Sequence, residues 1–457
     1  MMGEQTVAQE PLFYEFSLER HVPAGHLLRS IDRFVDLSGI REQLRPFYSE
    51  IGRPSIDPEL MIRMLIVGYC MGIRSERRLC EEVHLNLAYR WFCRLGLDGD
   101  VPDHSTFSKT RHGRFRDSDL FRQLFEATVK RCLAERLVGG DGFAVDASLI
   151  RAEANRQRFH SGEEGLPPDL SSRAIDEYLA RLDDAAFGAA TSAVPARVSP
   201  SDPASRYTSA HGGQAQFCYA TNYLIDVENA VIVDVEASTA VRQAEVTAAK
   251  RMIDRAAADH GLWPRKLIAD TGYGSAEMLA WLVHERDIEP HIPVVDHSAR
   301  ADGAFSRTEF SYDTRRDHYT CPAGKLLTRG RPRSGDPAHP HADGFFRYRA
   351  SKPDCDACAL KPRCCPGDYP RKVMRSLHEG ARDLARAIAE EDEWLTSRRE
   401  RKKVEMLFAH LKRILRLDRL RLRGPNGARD EFHLAAAAQN LRKLAKLIPM
   451  PAQTMPA

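Results

Sequence analysis

Two short apolar runs that end in an aspartate constrain the fold of this chain more than any other feature. Phe143-Ala-Val precedes Asp146, and Lys266-Leu-Ile-Ala precedes Asp270. Each run has the length and composition of a buried strand, and open α/β sheets place functional side chains at the carboxyl ends of such strands. A desolvated aspartate is costly unless it is paired or binds a cation. The pattern therefore predicts two carboxylates that share one hard cation.

The surrounding elements predict the class of fold. Residues 217–226 and 230–238 are typical of a hairpin, and a helix is expected over 241–258. A further strand, a helix over 276–286 and a last strand over 290–295 follow. This order favours a mixed α/β sheet of ribonuclease H type over 137–296. The polar stretch 155–213 is expected to be an exposed insertion with one helix near 174–182, and Asp226 and Asp234 are interpreted as structural.

Residues 1–136 are expected to form an all-helical N-terminal domain that binds DNA. Helix starts are predicted at Asp57 or Pro58, at Ser75, at Ser105, and at Asp117 or Ser118. Short helices with tight turns are compatible with a helix-turn-helix module. Within residues 103–116, three cations are candidates for contacts to phosphates and base edges, namely Lys109, Arg111 and Arg114. A solvated basic helix explains the same segment equally well.

Charge is concentrated near the C-terminus. The chain has 67 basic and 64 acidic residues, a net charge of +3, yet residues 398–423 contain 11 basic residues against three acidic ones. Residues 371–457 are predicted to be helical, with an apolar stripe at Val404, Leu407, Leu411, Ile414 and Leu415. Glu405 lies beside this stripe, and Arg401 and Lys412 can share its face. Such a helix can bring an acid to a metal and bases to phosphates, although Arg401 and Glu405 also suit an ordinary ion pair.

A cysteine-rich insertion is predicted over residues 297–370. Cys321, Cys355, Cys358 and Cys364 have spacings that suit a tetrahedral structural Zn²⁺, and Cys365 is adjacent. His318, His339 or His341 is an alternative ligand, and free thiols are the alternative to zinc. The stretch looks too polar to build its own core, so that a metal would explain its folding. The five other cysteines lie in apolar contexts and are interpreted as core residues.

The chain is expected to remain in the cytoplasm and to bind no membrane. The most apolar stretch, 60–73, is too short to span a bilayer, and the first residues show no secretory signal.

Three motifs together resemble the DDE transposases of bacterial insertion sequences. FAVDASLIRAEAN (143–155) and LIADTGYGS (267–275) are similar to the two aspartate strands of that family. RKKVEMLFAHLK (401–412) resembles its Arg-x3-Glu-x6-Lys signature, although Arg398 stands where a tyrosine is common and Ala409 where glycine is common. Residues 26–116 resemble the helical domain of the IS4 and IS5 types, and the cysteine insertion resembles the eleven-eighty-two group.

The resemblance implies a metal-dependent reaction on DNA. Asp146, Asp270 and Glu405 would hold Mg²⁺ or Mn²⁺, and water attack would release a 3′-hydroxyl at the element end that then attacks target DNA. Tyr273, Arg401 and Lys412 are candidates for contacts near the scissile phosphate. Pairing the two terminal inverted repeats implies a homodimer or larger assembly on DNA.

Two other functions stay open from the sequence. A ribonuclease H-like nuclease would cut without strand transfer, and a DNA-binding regulator or decayed transposase would bind without cutting, although the intact set of three carboxylates argues against the latter. A tyrosine or serine recombinase would form a covalent adduct without a divalent metal, but the sequence shows no clustered nucleophile with basic partners that resembles such a site. No Walker A pattern is present in the sequence, so ATP-driven work is not indicated.

Overall fold

The computed structural model divides into two compact units. It describes residues 16–49, 51, 55–116, 118–209, 213–295, 303–330, 340–341 and 344–450. The first unit comprises residues 1–140, 146–263 and 403–457, and the second comprises 141–145 and 264–402. Strand β1 (Gly142–Arg151) and helix α15 (Asp392–Arg413) each contribute residues to both units. None of the described helices has the length and apolarity that a bilayer crossing requires.

The N-terminal part of the first unit is helical, as predicted. Its helices are α1 (Leu18–His21), α2 (Leu27–Asp32), α3 (Ile40–Leu44), α4 (Pro58–Cys70), α5 (Glu76–Leu85), α6 (Leu87–Phe92), α7 (His104–Lys109) and α8 (Leu120–Ala134). Asp57 caps α4 and Ser75 caps α5, because each side chain accepts a backbone N–H of the first turn. Both helix starts are confirmed.

Two predicted helix starts in the same region are wrong. Asp103, rather than Ser105, caps α7, because its carboxylate accepts the N–H of Ser105 at 2.9 Å. The helix then continues as a π-turn over Thr110–Arg114. Helix α8 starts after Asp119, which adopts a left-handed conformation with φ of 48°. Asp117 lies outside the described residues.

The strands of the first unit form an antiparallel arrangement beside β1. They are β2 (Arg206–Thr208), β3 (Gln216–Asp226) and β4 (Val231–Thr239), and β3 pairs with both of the others and neighbours β1. The predicted hairpin is therefore confirmed. Helices α10 (Arg242–His260) and α16 (Gly424–Leu447) pack on β4, and α16 also contacts α2, α4 and α8. The core of the unit surrounds α16, whose middle residues are almost all buried.

The stretch 155–213 is only partly exposed, contrary to the prediction. It contains the expected helix, α9 (Arg173–Leu179), but also buried polar residues such as Ser199, Asp202 and Ser205. Tyr219 of β3 donates a hydrogen bond to the carboxylate of Asp202. Burial raises the pKa of Asp202 to about 7. Partnered polar groups let this stretch pack against the sheet without many apolar residues.

The parallel strands of the sheet belong to the second unit. Strands β5 (Lys266–Ile268) and β6 (Glu289–His291) pair in parallel, and β5 pairs in parallel with residues 142–144 of β1. Helix α11 (Ala276–Ala280) and a π-turn over Trp281–Glu285 connect β5 to β6. The order predicted from the sequence is confirmed, and the mixed sheet is consistent with a ribonuclease H-like core.

The cysteine-containing stretch folds on a small sheet of its own, so the prediction that it lacks a core is wrong. The strands are β7 (Ser311–Asp313), β8 (His318–Thr320), β9 (Leu326–Arg329), β10 (Phe345–Ala350) and β11 (Lys372–Ser376), in antiparallel order. An apolar cluster is centred on Tyr319, Leu327 and Tyr348. The Tyr319 and Tyr348 rings meet edge to face, with centroids 5.2 Å apart. Packed aromatic rings such as these give the cysteine-containing stretch a core despite its polar composition.

Helices complete the second unit. They are α12 (Lys352–Asp356), α13 (Lys361–Cys364), α14 (Glu379–Ile388) and the first half of α15. Strand β11 falls where a continuous helix was predicted from residue 371, because β10 provides a pairing partner for residues 372–376 that the local sequence does not reveal.

Candidate active site and nucleic-acid interface

Asp146 lies in the middle of β1, not at its carboxyl end as predicted. The strand continues to Arg151 because Leu420 donates its backbone N–H to the Arg151 carbonyl at 2.8 Å, which gives this end of the strand a partner. Asp146 is half-buried, and its carboxylate accepts the N–H of Ala147 at 2.8 Å. It follows the fully buried residues 142–145, so the apolar run does deliver the carboxylate to the edge of the core.

Asp270 stands two residues beyond the end of β5, whereas the sequence predicted a strand that ends at Asp270 itself. Its carboxylate accepts the N–H of Gly272 at 2.8 Å and caps a 3₁₀ turn over Thr271–Tyr273. Parallel pairing aligns Ala144 with Ile268, and Asp146 and Asp270 each stand two residues further along the sequence. Each of the two paired segments is therefore followed by an aspartate at the same distance along the chain.

Tyr273 is not a surface residue. Its side chain has no exposed area, because the turn that begins at Asp270 directs the ring into the core of the second unit. The prediction that Tyr273 contacts DNA is therefore wrong for this conformation. The aromatic residue after the second aspartate instead packs beneath the turn that holds it.

Helix α15 carries the predicted glutamate. It spans Arg401, Glu405 and Lys412 without a break, and the spacings of four and seven residues keep all three on one side. Glu405 is exposed, whereas Val404, Leu407 and Leu411 are buried. The helix rests on β3, where the rings of Phe408 and Tyr223 are 5.4 Å apart. Ile414, predicted to belong to the buried stripe, is 50% exposed because the helix ends at Arg413.

Lys412 differs from the other cations of this segment in its environment. Its side chain is half-buried, and burial lowers the pKa of the ammonium group. Cys218 of β3 and Asp418 oppose that effect electrostatically. An ammonium group held near the core has already lost part of its hydration. Its further desolvation on binding a phosphate therefore costs less free energy than that of a fully solvated lysine.

The 398–423 segment is less free to bind DNA than its charge suggests. Glu400 accepts an ion pair from Lys266 at 3.2 Å, and Lys403 donates to the backbone carbonyls of Val227 and Glu228. Lys403, and likewise Arg419, which pairs with Glu153 at 2.9 Å, thus help to hold the fold together. Residues near the end of the segment, such as Arg421, are exposed.

The predicted N-terminal DNA contacts separate into different classes. Lys109 is exposed, so its predicted role stays a prediction. Arg111 is buried, pairs with Glu76 at 2.9 Å and donates to the Tyr69 hydroxyl at 2.8 Å. Its predicted contact with DNA is wrong for this structure, since a phosphate would have to displace a buried ion pair. Arg114 is half-buried, with its guanidinium 4.4 Å from the ring centroid of Tyr48.

The first unit contains a basic groove that sequence analysis did not predict. Its volume is about 710 Å³. Five segments distant in sequence line it, and their residues include His112, Glu153, Arg173, Arg421, Arg423, Ser171, Ser172 and Ser201. Arg116 forms one wall and is held there by a buried ion pair with Glu177. No pattern within one segment could reveal a groove whose cations come from residues 112, 173 and 421–423.

A separate cluster of two glutamates and one histidine in the second unit does not have the character of a metal site. The ligand atoms of Glu289, His291 and Glu393 lie within 4.8 Å of one another. Arg265 pairs with both glutamates, at 2.6 and 2.7 Å, and Lys266 pairs with Glu393 at 3.1 Å. Hydrogen bonds from these two cations hold the pKa of Glu393 at about 2. The protein's own cations already neutralise these carboxylates, so the group is an ion-pair network.

Asp226 and Asp234 are structural, as predicted. Asp226 accepts the N–H groups of Gly140 and Glu228, which close the turns beside β3. Asp234 on β4 is buried and pairs with Arg122 and Arg255 at 2.6 and 2.8 Å. Neither is available to a metal ion.

Comparison with known families agrees with this arrangement. Residues 139–441 match the Transposase DDE domain, and residues 16–113 match the Transposase domain (DUF772). The fold and the matches define a transposase with a helical N-terminal domain and a mixed α/β catalytic domain. Because the DDE match covers more than half of the sequence, the chain belongs to the DDE transposase family.

Proposed function

We propose that this transposase cleaves DNA at the ends of an insertion sequence and transfers the freed strand, using Asp146, Asp270 and Glu405 as its metal-binding carboxylates. The observation that carries the proposal is the parallel pairing of residues 142–144 with residues 266–268, because each paired segment is followed, two residues further along the chain, by one of the aspartates. Glu405 is the exposed acid on α15, with Arg401 one turn before it.

The three side chains suit Mg²⁺ or Mn²⁺. All are carboxylates, the ligands that hard cations prefer. Two of them are half-buried at the margin of the core, where a bound cation would offset the cost of desolvation. Such ions, when bound, activate a water molecule and neutralise charge on the leaving oxygen.

Cleavage and transfer use the same bond changes in turn. Water oxygen attacks the scissile phosphorus, the bond to the 3′ oxygen breaks, and that oxygen leaves as a 3′-hydroxyl. The 3′-hydroxyl then loses its proton and attacks a phosphorus of the target strand, the bond from that phosphorus to the target's own 3′ oxygen breaks, and that oxygen leaves as a hydroxyl. The chain contributes oriented cations to both steps, with Arg401 and the half-buried Lys412 beside the glutamate.

The basic groove of the first unit is the proposed path for element-end DNA. Arg173, Arg421 and Arg423 would contact phosphates, and the serines that line the groove can donate to phosphate oxygens. Lys109 is a further candidate, since it is exposed on α7. Two ends must be paired for transposition, so we propose that the protein acts on DNA as a homodimer or larger assembly.

Within the DDE transposase family, we propose that this chain belongs to the eleven-eighty-two group. The support is the cysteine-bearing sheet, which lies between β6 and the helix that carries Glu405. An insertion at this point leaves the order of the three carboxylates unchanged.

The test is cleavage of labelled DNA that carries the element ends, with Mg²⁺ or EDTA present. We expect metal-dependent cuts at the ends and joining to a target. Glu405→Gln, Asp146→Asn and Asp270→Asn should each reduce cutting by at least about 100-fold, because even outer partners of metal ligands typically matter 10–100-fold. End binding should persist. The matched control is Asp392→Asn, an exposed acid on the same helix, which should cut normally.

Each other result has a definite meaning. Cutting without joining would identify a nuclease, and specific binding without cutting would identify a regulator. Cuts that persist in EDTA with a covalent protein–DNA adduct would refute the proposed chemistry.

A further inference from the structure

All five cysteines of the insertion line one small cavity in the second unit. Its volume is about 20 Å³, which is enough for about one water molecule or one metal ion. The thiols come from three separate places in the sequence, and they are Cys321, Cys355, Cys358, Cys364 and Cys365. The remaining five cysteines of the chain are all buried outside this cavity. The clustering therefore results from the fold of the insertion and not from cysteine content alone.

The turn after β8 is shaped around the Cys321 sulfur. Cys321 donates its backbone N–H to the Lys325 carbonyl at 2.9 Å and accepts the N–H of Gly324 at 2.8 Å, in a tight turn that Gly324 permits with a φ of +74°. The N–H of Lys325 then points at Cys321 Sγ, 3.3 Å away. The turn therefore fixes the position of this sulfur at the cavity.

The next cysteine, Cys355, lies at the end of α12 and lines the cavity together with Arg371. A turn follows in which Cys358 donates its N–H to the Cys355 carbonyl at 3.1 Å. This turn folds the Cys-x2-Cys pair back on itself, as a two-thiolate metal clip requires.

The adjacent pair on α13 completes the cluster. Cys364 ends α13 and Cys365 follows it, and both line the cavity together with Cys321 and Cys355. Neither His318 nor His341 lines the cavity, and His339 lies outside the described residues. The alternative of a histidine ligand therefore has no support among the described residues.

We propose that this cavity binds one structural Zn²⁺ through Cys321, Cys355, Cys358 and one thiolate of the Cys364–Cys365 pair. Four thiolates around Zn²⁺ carry a net charge of −2, and the cavity wall supplies compensating cations in Lys325, Lys361 and Arg371. Its other walls include the buried Phe305 and the more exposed Leu360.

Binding should draw the thiols together. Among the described residues, no three of these sulfurs lie within 4.8 Å of one another, whereas Zn–S bonds are about 2.3 Å long. Zinc would therefore bring the Cys321 turn, α12 and α13 into closer contact and stabilise the insertion. The antiparallel sheet has a core of its own, so we expect apoprotein to loosen where these segments meet without losing the sheet.

The test is zinc stoichiometry in the full-length protein, purified under reducing conditions. We expect about one Zn²⁺ per chain by elemental analysis, with release on thiol modification. Replacing zinc with Co²⁺ should give an intense thiolate-to-metal absorption band, a readout independent of transposition. Cys355→Ser and the double variant Cys364→Ser/Cys365→Ser should each lose the metal. The matched control Cys80→Ser, which alters a buried cysteine of α5, should keep it.

Three results would overturn the proposal. They are a zinc content below about 0.2 per chain after reconstitution, no thiolate band with Co²⁺, or full zinc retention in Cys355→Ser. Intramolecular disulfides among these cysteines in protein purified without reductant, with no metal in the reduced form, would instead identify a redox-sensitive cluster. If the serine variants prove insoluble, the Co²⁺ spectrum of the unaltered chain still decides. Failure here leaves the proposed catalysis untouched, because the carboxylate variants test that separately.

Discussion

Asn440 on α16 hydrogen-bonds both backbone groups of Ile232 on β4. The Ile232 N–H donates to Asn440 Oδ1 at 3.0 Å, and Asn440 Nδ2 donates to the Ile232 carbonyl at 2.8 Å. A buried side chain thus does for β4 what a neighbouring strand would do. Helix α16 follows α15, the helix that carries Glu405. The two hydrogen bonds of Asn440 therefore help to fix the position of α16 on β4 within the first unit.

Replacing Asn440 with leucine should destabilise the protein substantially. The variant keeps the side-chain volume but leaves one N–H and one C=O of β4 buried without partners, at about 1–3 kcal/mol each. We expect a loss of about 2–4 kcal/mol in the free energy of unfolding, measured by urea denaturation. Lys446→Ala, an exposed change on the same helix, is the control and should shift stability by less than about 0.5 kcal/mol. Equal stabilities would show that the backbone groups find other partners.

Arg111 and Lys109 lie two residues apart and should give opposite phenotypes. Arg111→Ala leaves Glu76 without its buried partner, and we expect a loss of about 3 kcal/mol in stability. Lys109→Ala changes an exposed side chain and should leave the stability within about 0.5 kcal/mol.

The measurement is thermal and urea unfolding of both variants beside DNA-end binding. The His112 and Arg111 contacts outweigh burial and hold the pKa of Glu76 at about 2. Glu76 is therefore charged at neutral pH and needs its cation. Normal stability of Arg111→Ala with weakened DNA binding would restore the original prediction for Arg111.

Local patterns predicted most helices and strands of the core because their signals lie within a few residues. Asp57 and Ser75 cap the helices expected of them, and the run before Asp270 is a buried parallel strand. Errors arose where a distant partner decided the outcome. Residues 372–376 became a strand because β10 pairs with them, and β1 extends past Asp146 because residue 420 provides a partner.

The same distinction applies to the functional residues. Spacing on one helix identified Glu405, Arg401 and Lys412 as a group, and the structure places them on one continuous helix. It could not separate exposed Lys109 from buried Arg111, because an ion pair with Glu76 depends on how α5 and the π-turn meet. Local sequence patterns did not predict the basic groove for a similar reason, because its lining residues come from segments that are far apart in the sequence.

Asp202→Asn should remove part of the pH dependence of stability. Burial raises the pKa of Asp202 to about 7 in the folded state, whereas an unfolded aspartate titrates near about 3.9. Between those values the folded state binds the extra proton, so its stabilising contribution is present at low pH and is lost as pH rises towards 7. The slope is roughly 1 kcal/mol per pH unit. Asparagine resembles the protonated acid and still accepts from the Tyr219 hydroxyl.

The measurement is urea unfolding of both proteins at several pH values from 4.5 to 8. Asp202→Asn should gain stability relative to the unaltered chain up to about pH 7, and the difference should then level off. Asp430, whose pKa burial also raises to about 7, remains in both proteins and cancels in the comparison. A difference that is constant across this range would show that Asp202 is ionised throughout.

Arg421→Ala and Arg423→Ala should weaken DNA binding through lost phosphate contacts. Both line the basic groove and both are exposed. Each lost contact should lower the slope of log affinity against log salt concentration by about 1, and should weaken element-end and unrelated DNA alike. The measurement is fluorescence anisotropy over a series of salt concentrations. Arg77→Ala, which removes an exposed cation on α5, should leave the slope unchanged. Unaltered slopes in the groove variants would place the DNA on another face of the first unit, whereas a loss confined to element-end DNA would mean that these arginines read bases.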